Sequence, residues 1–131
     1  MKEDITSRED IELLVNAFYK KVLADKIINH FFKEVIKLDW KKHIPVMYDF
    51  WEMALLDKMI YRGNPMLKHI ALDKLSPLQE KHFDQWILLF TETVDAMYTG
   101  PRADLAKQKA NTMKSLMMHK IELSRGGNFI Q

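Results

Sequence analysis

The chain has 131 residues, 47% hydrophobic and 29% charged, which is the size and make-up of one globular domain and excludes wholesale disorder. Twenty basic against eighteen acidic residues leave a net charge of +2, too balanced for nucleic-acid binding by charge alone. No apolar run approaches roughly 18 residues and Met1-Lys2-Glu3-Asp4 is not a signal-peptide start, so a cytoplasmic protein with no membrane partner is expected.

Glycine and proline are scarce, no alternating β-branched stretch suggests a strand, and the dominant period is helical. Ser7 is placed to cap a first helix, with Glu9 and Asp10 in its first turn and an apolar stripe of Ile11, Leu14, Val15, Phe18 and Val22. Asp25 can cap a short segment ending at Phe31-Phe32. A further helix is expected after Asp39, with Pro45 tolerable only in or near its first turn. His43, Met47, Phe50, Trp51 and Ala54 then share one face. Arg62-Gly63-Asn64-Pro65 breaks the chain before a short stretch from Met66 to Leu72.

Ser76-Pro77-Leu78-Gln79 predicts a helix start with Ser76 as cap and Pro77 in the first helical position. That helix carries Phe83, Trp86, Phe90, Thr93, Val94 and Met97 on one side, and Gly100-Pro101 stops it. A last helix is expected from about Arg102 to about Leu123. One domain over 1–131 is expected, with frayed ends at about 1–6 and 124–131.

With no cysteine, disulfides, thiolate-bound zinc, iron–sulfur clusters and thiol nucleophiles are excluded. HExxH, GxSxG, GxGxxG and Walker motifs are absent, and no two histidines stand at i, i+4. His43 shares its face with apolar and aromatic residues, and His69 lies between two long helices where a side chain can point into a cleft. One neutral imidazole facing an aromatic cleft suits a haem iron, and Tyr19, His43 and Trp86 could supply polar groups across from it. A lone histidine on an amphipathic helix is more often structural, tyrosine and tryptophan on an apolar face are usually core, and the nine methionines read first as packing.

Taken together, these residues resemble a truncated haemoglobin of the group III branch. Asp10 to Tyr19 resembles the family's B helix, where a Phe-Tyr pair places the ligand-binding tyrosine. Phe32, thirteen residues beyond Tyr19, matches the spacing to the phenylalanine packed on the haem. Trp40 to Trp51 is similar to the E helix with its distal histidine. Tyr61-Arg62-Gly63-Asn64-Pro65 before Lys68-His69 resembles the approach to the proximal histidine. His82 to Phe90 resembles the G helix with its distal tryptophan. The likeness covers about residues 8 to 122, and the glycine pairs of groups I and II are absent.

The resemblance implies an all-α, globin-like two-over-two helical sandwich holding haem b. His69 would be the proximal iron ligand, and His82 is given no iron bond. Tyr19 and Trp86 would donate hydrogen bonds to bound O2, with plain packing on the porphyrin the alternative for Trp86. His43 would contact the ligand, gate the pocket or bind the iron. Phe32, Met47, Phe50, Trp51, Phe83 and Phe90 are candidate walls of the pocket. Tyr61, Arg62 and Lys68 would partner the propionates or face solvent.

The implied function is binding of O2, NO, CO or a similar diatomic ligand, with NO dioxygenation or peroxidase-like chemistry fed by an unidentified reductase. A monomer is expected. The alternatives are a gas binder or sensor without turnover, and a cofactor-free interaction protein using Lys107, Lys109, Lys114, Met117, Met118 and Lys120.

Overall fold

Helix ends show first how the chain satisfies its own backbone, since each helix leaves N–H groups without internal partners. The computed structural model describes residues 2–31, 40–56 and 78–125. Among them run α1 (Arg8–Ala24), α2 (Trp40–Leu56), α3 (Glu80–Met97) and α4 (Pro101–Arg125), with no strand.

The start of α1 is the expected one. The Asp10 N–H donates to the Ser7 hydroxyl at 3.4 Å, and the Asp10 carboxylate accepts from the N–H groups of Thr6 and Ser7 at 2.9 and 3.3 Å. Ile11, Leu14, Val15, Phe18 and Val22 are all buried. Asp25 turns the chain after α1 by accepting from the N–H groups of Ile27 and Ile28.

Helix α2 begins after Asp39 as expected, but the place of its proline and the starts of the later helices differ from expectation. In α2, Pro45 sits beyond the first turn, and the helix continues through it. Helix α3 begins at Glu80 with Gln79 as its cap, later than the proline-led start expected at Ser76-Pro77, two residues that lie outside the described set. Leu78 is buried with Phe31, Phe83, Met117 and Ile121, and the His82 imidazole accepts the Gln79 N–H at 2.9 Å. The imidazole thus does at Gln79 what a carboxylate or amide does in an ordinary capping box.

Helix α4 begins at Pro101, one residue early, because its cap comes from the other end of the chain. The Asp4 carboxylate accepts from the N–H groups of Arg102 at 3.0 Å and Ala103 at 2.9 Å. Gly100 carries φ +137°, and a Cβ there would lie 2.6 Å from the Asp4 Cγ, so glycine is required on both counts. Residues 3 to 6, expected to fray, are instead tied down. The Thr99 N–H donates to the Glu3 carbonyl, and Ile5 is 0% exposed. At the other end α4 runs to Arg125, past the expected Leu123, and residues 126–131 lie outside the described set.

This latch carries a prediction. Burial pushes the Asp4 carboxyl up, but the N–H groups of Arg102, Ala103 and Ile5 outweigh it and hold the carboxyl below its ordinary 3.8. Asp4→Ala should therefore lower stability by about 1 kcal/mol at neutral pH. A depressed folded-state value means the stabilisation is present above the ordinary value and lost as the pH falls through the folded one. Urea denaturation of both proteins should show the difference at about pH 7 and its closure as the pH falls through the depressed folded value. A difference that persists in acid would mean that the carboxylate charge is not what caps α4.

The helices form two antiparallel pairs. Arg8 meets Asp49 and Glu52 while Tyr19 meets His43, so α1 and α2 run oppositely. Asp84 pairs with Lys114 and Asp95 with Lys107, so α3 and α4 do too. Contacts of α1 with α3 and of α2 with α4 lay one pair on the other. The main core lies between them, around Leu14, Phe18, Trp51, Phe90, Val94 and Ala106.

Candidate functional site

Three helices carry the three polar-tipped side chains expected at the site. Tyr19 comes from α1, His43 from α2 and Trp86 from α3. The rings of Tyr19 and His43 lie 5.5 Å apart and nearly perpendicular, at 82°. Phe18 joins Tyr19 to Trp86, meeting their rings at 5.1 and 5.7 Å, and it touches Phe90 edge-on at 5.2 Å. Phe90 is stacked with Trp86 at 5.8 Å and with Trp51 at 4.7 Å. These offset and edge-on geometries are the favoured ones for aromatic pairs. Phe18 was legible as part of the apolar stripe and of the Phe-Tyr pair in the resemblance, not as the ring that joins Tyr19 to Trp86. Its adjacency to Tyr19 was the available signal that it would back the site.

The electrostatics here favour a neutral, polar guest. Burial pushes the Tyr19 phenol well above its ordinary value of 10, so its hydroxyl keeps its proton and remains a donor. The Nε2 atom of His43 is buried and makes no hydrogen bond, while the imidazole itself is in contact with Tyr19. A buried polar atom of this kind costs free energy unless some group meets it.

The other expected site residues divide by position. Met47 and Phe50 are half-buried on α2 and pack against the main core. Phe50 also lines a cleft of about 580 Å³ between α2 and α4, with Met53, Ala54, Leu105 and Met113 among its other walls. Trp51 and Phe90 are buried inside the main core, and Phe83 lies in the smaller cluster with Phe31 and Met117. Phe32, Tyr61, Arg62, Lys68 and His69 lie outside the described residues.

His82 is accounted for by the fold. Its Nδ1 accepts the Gln79 N–H, which makes the neutral ring an Nε2–H tautomer, and its ring meets Phe31 edge-on at 4.8 Å. Burial, then Lys81 and His30, hold its pKa below 6.5. The surface considered for an interaction protein is also partly used within the fold. Met117 is buried, Lys107 pairs with Asp95 and Asp104, and Lys114 pairs with Asp84.

Two antiparallel helix pairs, with a tyrosine meeting a histidine and a phenylalanine linking that tyrosine to a tryptophan, define a short globin. The chain belongs to the bacterial-like globin family, whose model matches residues 2–122. It is 30% identical over 118 residues to the Group 3 truncated hemoglobin ctb of Campylobacter jejuni, covering 88% of this chain and 91% of that protein. The crystal structure of the group III truncated hemoglobin from Campylobacter jejuni superposes with a TM-score of 0.79 at 29% identity, over 92% of this chain and 95% of that one. The 2/2 hemoglobin from Synechococcus sp. PCC 7002, solved in the cyanomet state with covalently attached haem, shares the fold. Its TM-score is 0.71 at 24% identity, over 88% of this chain and 91% of that one. Among the described residues no helix is long and apolar enough to cross a membrane.

Haem is the cofactor of globins, and diatomic gases are their ligands. The described residues fit that group. An apolar, aromatic wall carrying a proton-bearing phenol, an indole and a buried imidazole nitrogen is the donor set a flat apolar cofactor with a small polar ligand requires.

Proposed function

We propose that the chain binds haem b through His69 and holds O2 beneath Tyr19, His43 and Trp86, in order to oxidise nitric oxide to nitrate. The observation that carries this reading is the contact of Tyr19 with His43 across two helices, with Phe18 joining Tyr19 to Trp86 on a third. When bound, haem supplies a ferrous iron that takes up the gas and yields one electron. Balance then requires that NO, O2 and that electron give nitrate, so an external reductant must restore the ferrous state after each turnover.

The protein's own part is to select and hold the ligand. The Tyr19 hydroxyl and the Trp86 indole N–H donate to whichever ligand atom carries partial negative charge, in surroundings of low dielectric. O2 gains more from such donors than CO does. Tyr19 remains neutral across the physiological range because its pKa is raised, so its donation does not vary with pH there. Phe18 packs against both donors, and Phe90 backs Trp86.

The test is an absorption spectrum of the purified protein, ferric, then reduced, then under CO. A Soret band that moves on CO binding is the expected result, and His69→Ala should lose it. A His69→Ala protein with an unchanged spectrum would overturn the ligand assignment. Rapid nitrate formation on mixing the oxygenated protein with NO, renewed by a reductant, is expected of an enzyme. A single round without renewal would leave a gas binder or sensor.

A further inference from the structure

The α1/α2 seam is cross-linked at three levels by polar groups. At one end the Arg8 Nη1 donates to Asp49 Oδ1 at 2.8 Å and to Glu52 Oε1 at 2.7 Å, while its Nε donates to Glu12 Oε2 at 3.2 Å. The guanidinium also lies 5.7 Å over the Tyr48 ring. One step along, the Tyr48 hydroxyl donates to Asn16 Oδ1 at 2.5 Å. At the other end Tyr19 meets His43. We propose that Arg8 is a positioning residue for the ligand site: it draws α2 onto α1 and so sets how closely His43 stands over Tyr19. This inference rests on the haem reading above and assigns a role that reading does not need.

Charge makes the assignment specific. One guanidinium faces three carboxylates, Glu12 on α1 and Asp49 and Glu52 on α2, with Glu52 only 12% exposed. The carboxylates raise the affinity of Arg8 for its proton, with Asp49 contributing most. With Arg8 present the seam is held by attraction between the helices. Without it, Glu12 faces Asp49 and Glu52 across the same seam and like charges push the helices apart. Isolated exposed ion pairs contribute little, but a forked guanidinium serving three acceptors and an aromatic face is a network with one point of failure. Tyr48, Asp49 and Glu52 stand on α2 beyond His43, so a shift of that helix moves the imidazole with it.

The experiment is CO association to the reduced holoprotein by flash photolysis, for wild type, Arg8→Gln and Arg8→Lys, from about 20 mM to about 500 mM salt, a range over which the Debye length falls from about 20 Å to about 4 Å. Arg8→Gln should associate roughly 3- to 10-fold faster at low salt, as the pocket opens. The discriminating result is the sign of the salt effect. Salt should speed association in wild type by weakening an attraction, and slow it in Arg8→Gln by screening a repulsion. Arg8→Lys keeps the charge but loses the fork, so it should keep the wild-type sign with a shallower slope.

A general loss of stability would not reverse that sign. Rates and slopes that are the same in all three proteins would overturn the proposal. Should Arg8→Gln fail to fold, the slope of Arg8→Lys decides. The nuclear Overhauser effect between Tyr19 and His43 ring protons, read in the full chain with or without haem, separates this claim from the haem reading. It should weaken in Arg8→Gln, and an undiminished effect would overturn the clamp even in a protein that takes up haem normally. A wild-type chain that takes up no haem, with the effect still weakened in Arg8→Gln, would overturn the role at a ligand site while leaving the clamp itself in place.

Discussion

Phe90→Ala should lower the stability of the fold by about 3–5 kcal/mol, the cost of emptying a fully buried aromatic position. Phe90 is 0% exposed, stacked with Trp51 and Trp86 and met edge-on by Phe18. The residue therefore ties α3 to α1 and α2 at once. Its removal takes away apolar burial and three aromatic pairings, each worth about 0.5–1.5 kcal/mol beyond area. Chemical denaturation followed by far-UV circular dichroism, with wild type and variant in the same haem state, measures it. Phe90→Leu should recover a large part of the loss by filling the volume. A loss under about 1 kcal/mol for Phe90→Ala would mean that the core closes around the gap, against the range seen for such truncations.

Tyr19→Phe should speed O2 dissociation by roughly 10- to 100-fold while leaving CO dissociation little changed, because a hydrogen bond to a charged acceptor contributes about 1.5–3 kcal/mol and each 1.4 kcal/mol is tenfold. The substitution keeps the ring that packs against Phe18 and His43, so little else is disturbed. Stopped-flow displacement of O2 by CO gives the rate directly. Trp86→Phe tests the second donor in the same assay. An unchanged O2 dissociation rate in both variants would show that neither side chain holds the ligand. A change in Trp86→Phe alone would place the donation on α3 and leave the Tyr19 hydroxyl a structural group. The raised pKa of Tyr19 adds a check, since the wild-type rate should be flat between about pH 6 and about pH 9, where the phenol stays protonated.

These two residues differ in how visible they were. Tyr19 stands beside Phe18 on a helix whose stripe and cap can be read over a few residues, so both its helix and its chemistry are legible from short-range pattern. Phe90 is legible as one more apolar residue on a helical face. That it is the centre of a four-ring stack depends on Trp51 and Phe18, which lie far from it along the chain. The hydrophobic period reports that a side chain is turned inward and is silent on what it meets.

The helix ends divide in the same way. The Ser7–Asp10 box closes within three residues, and its reading matches the structure. The start of α4 does not close locally, since its cap is Asp4, which stands 98 positions before Arg102. Expecting residues 1–6 to fray followed from their place at a terminus, and what holds residues 3 to 6 is the unpaired start of a helix far along the chain. His82 has neither the hydroxyl nor the carboxylate that marks a helix start in sequence, so its part in capping α3 is evident only once Gln79 is seen to donate to it. Arg8 and Glu12 form an i, i+4 pair within α1. The two carboxylates that turn that pair into a cross-helix clamp lie on α2.

The amino-acid sequence by itself determined the helical class, the capped and striped α1, the order of the helical segments and the family resemblance. Each of these rests on spacings of three or four residues or on short motifs in fixed order. The tertiary structure alone decided that Tyr19 faces His43, that Phe18 backs Trp86, that Asp4 caps α4 and that Arg8 holds α2. Those contacts join residues separated by tens of positions, and their partners are selected by packing and charge in three dimensions, for which a single chain's periodicity carries no signal.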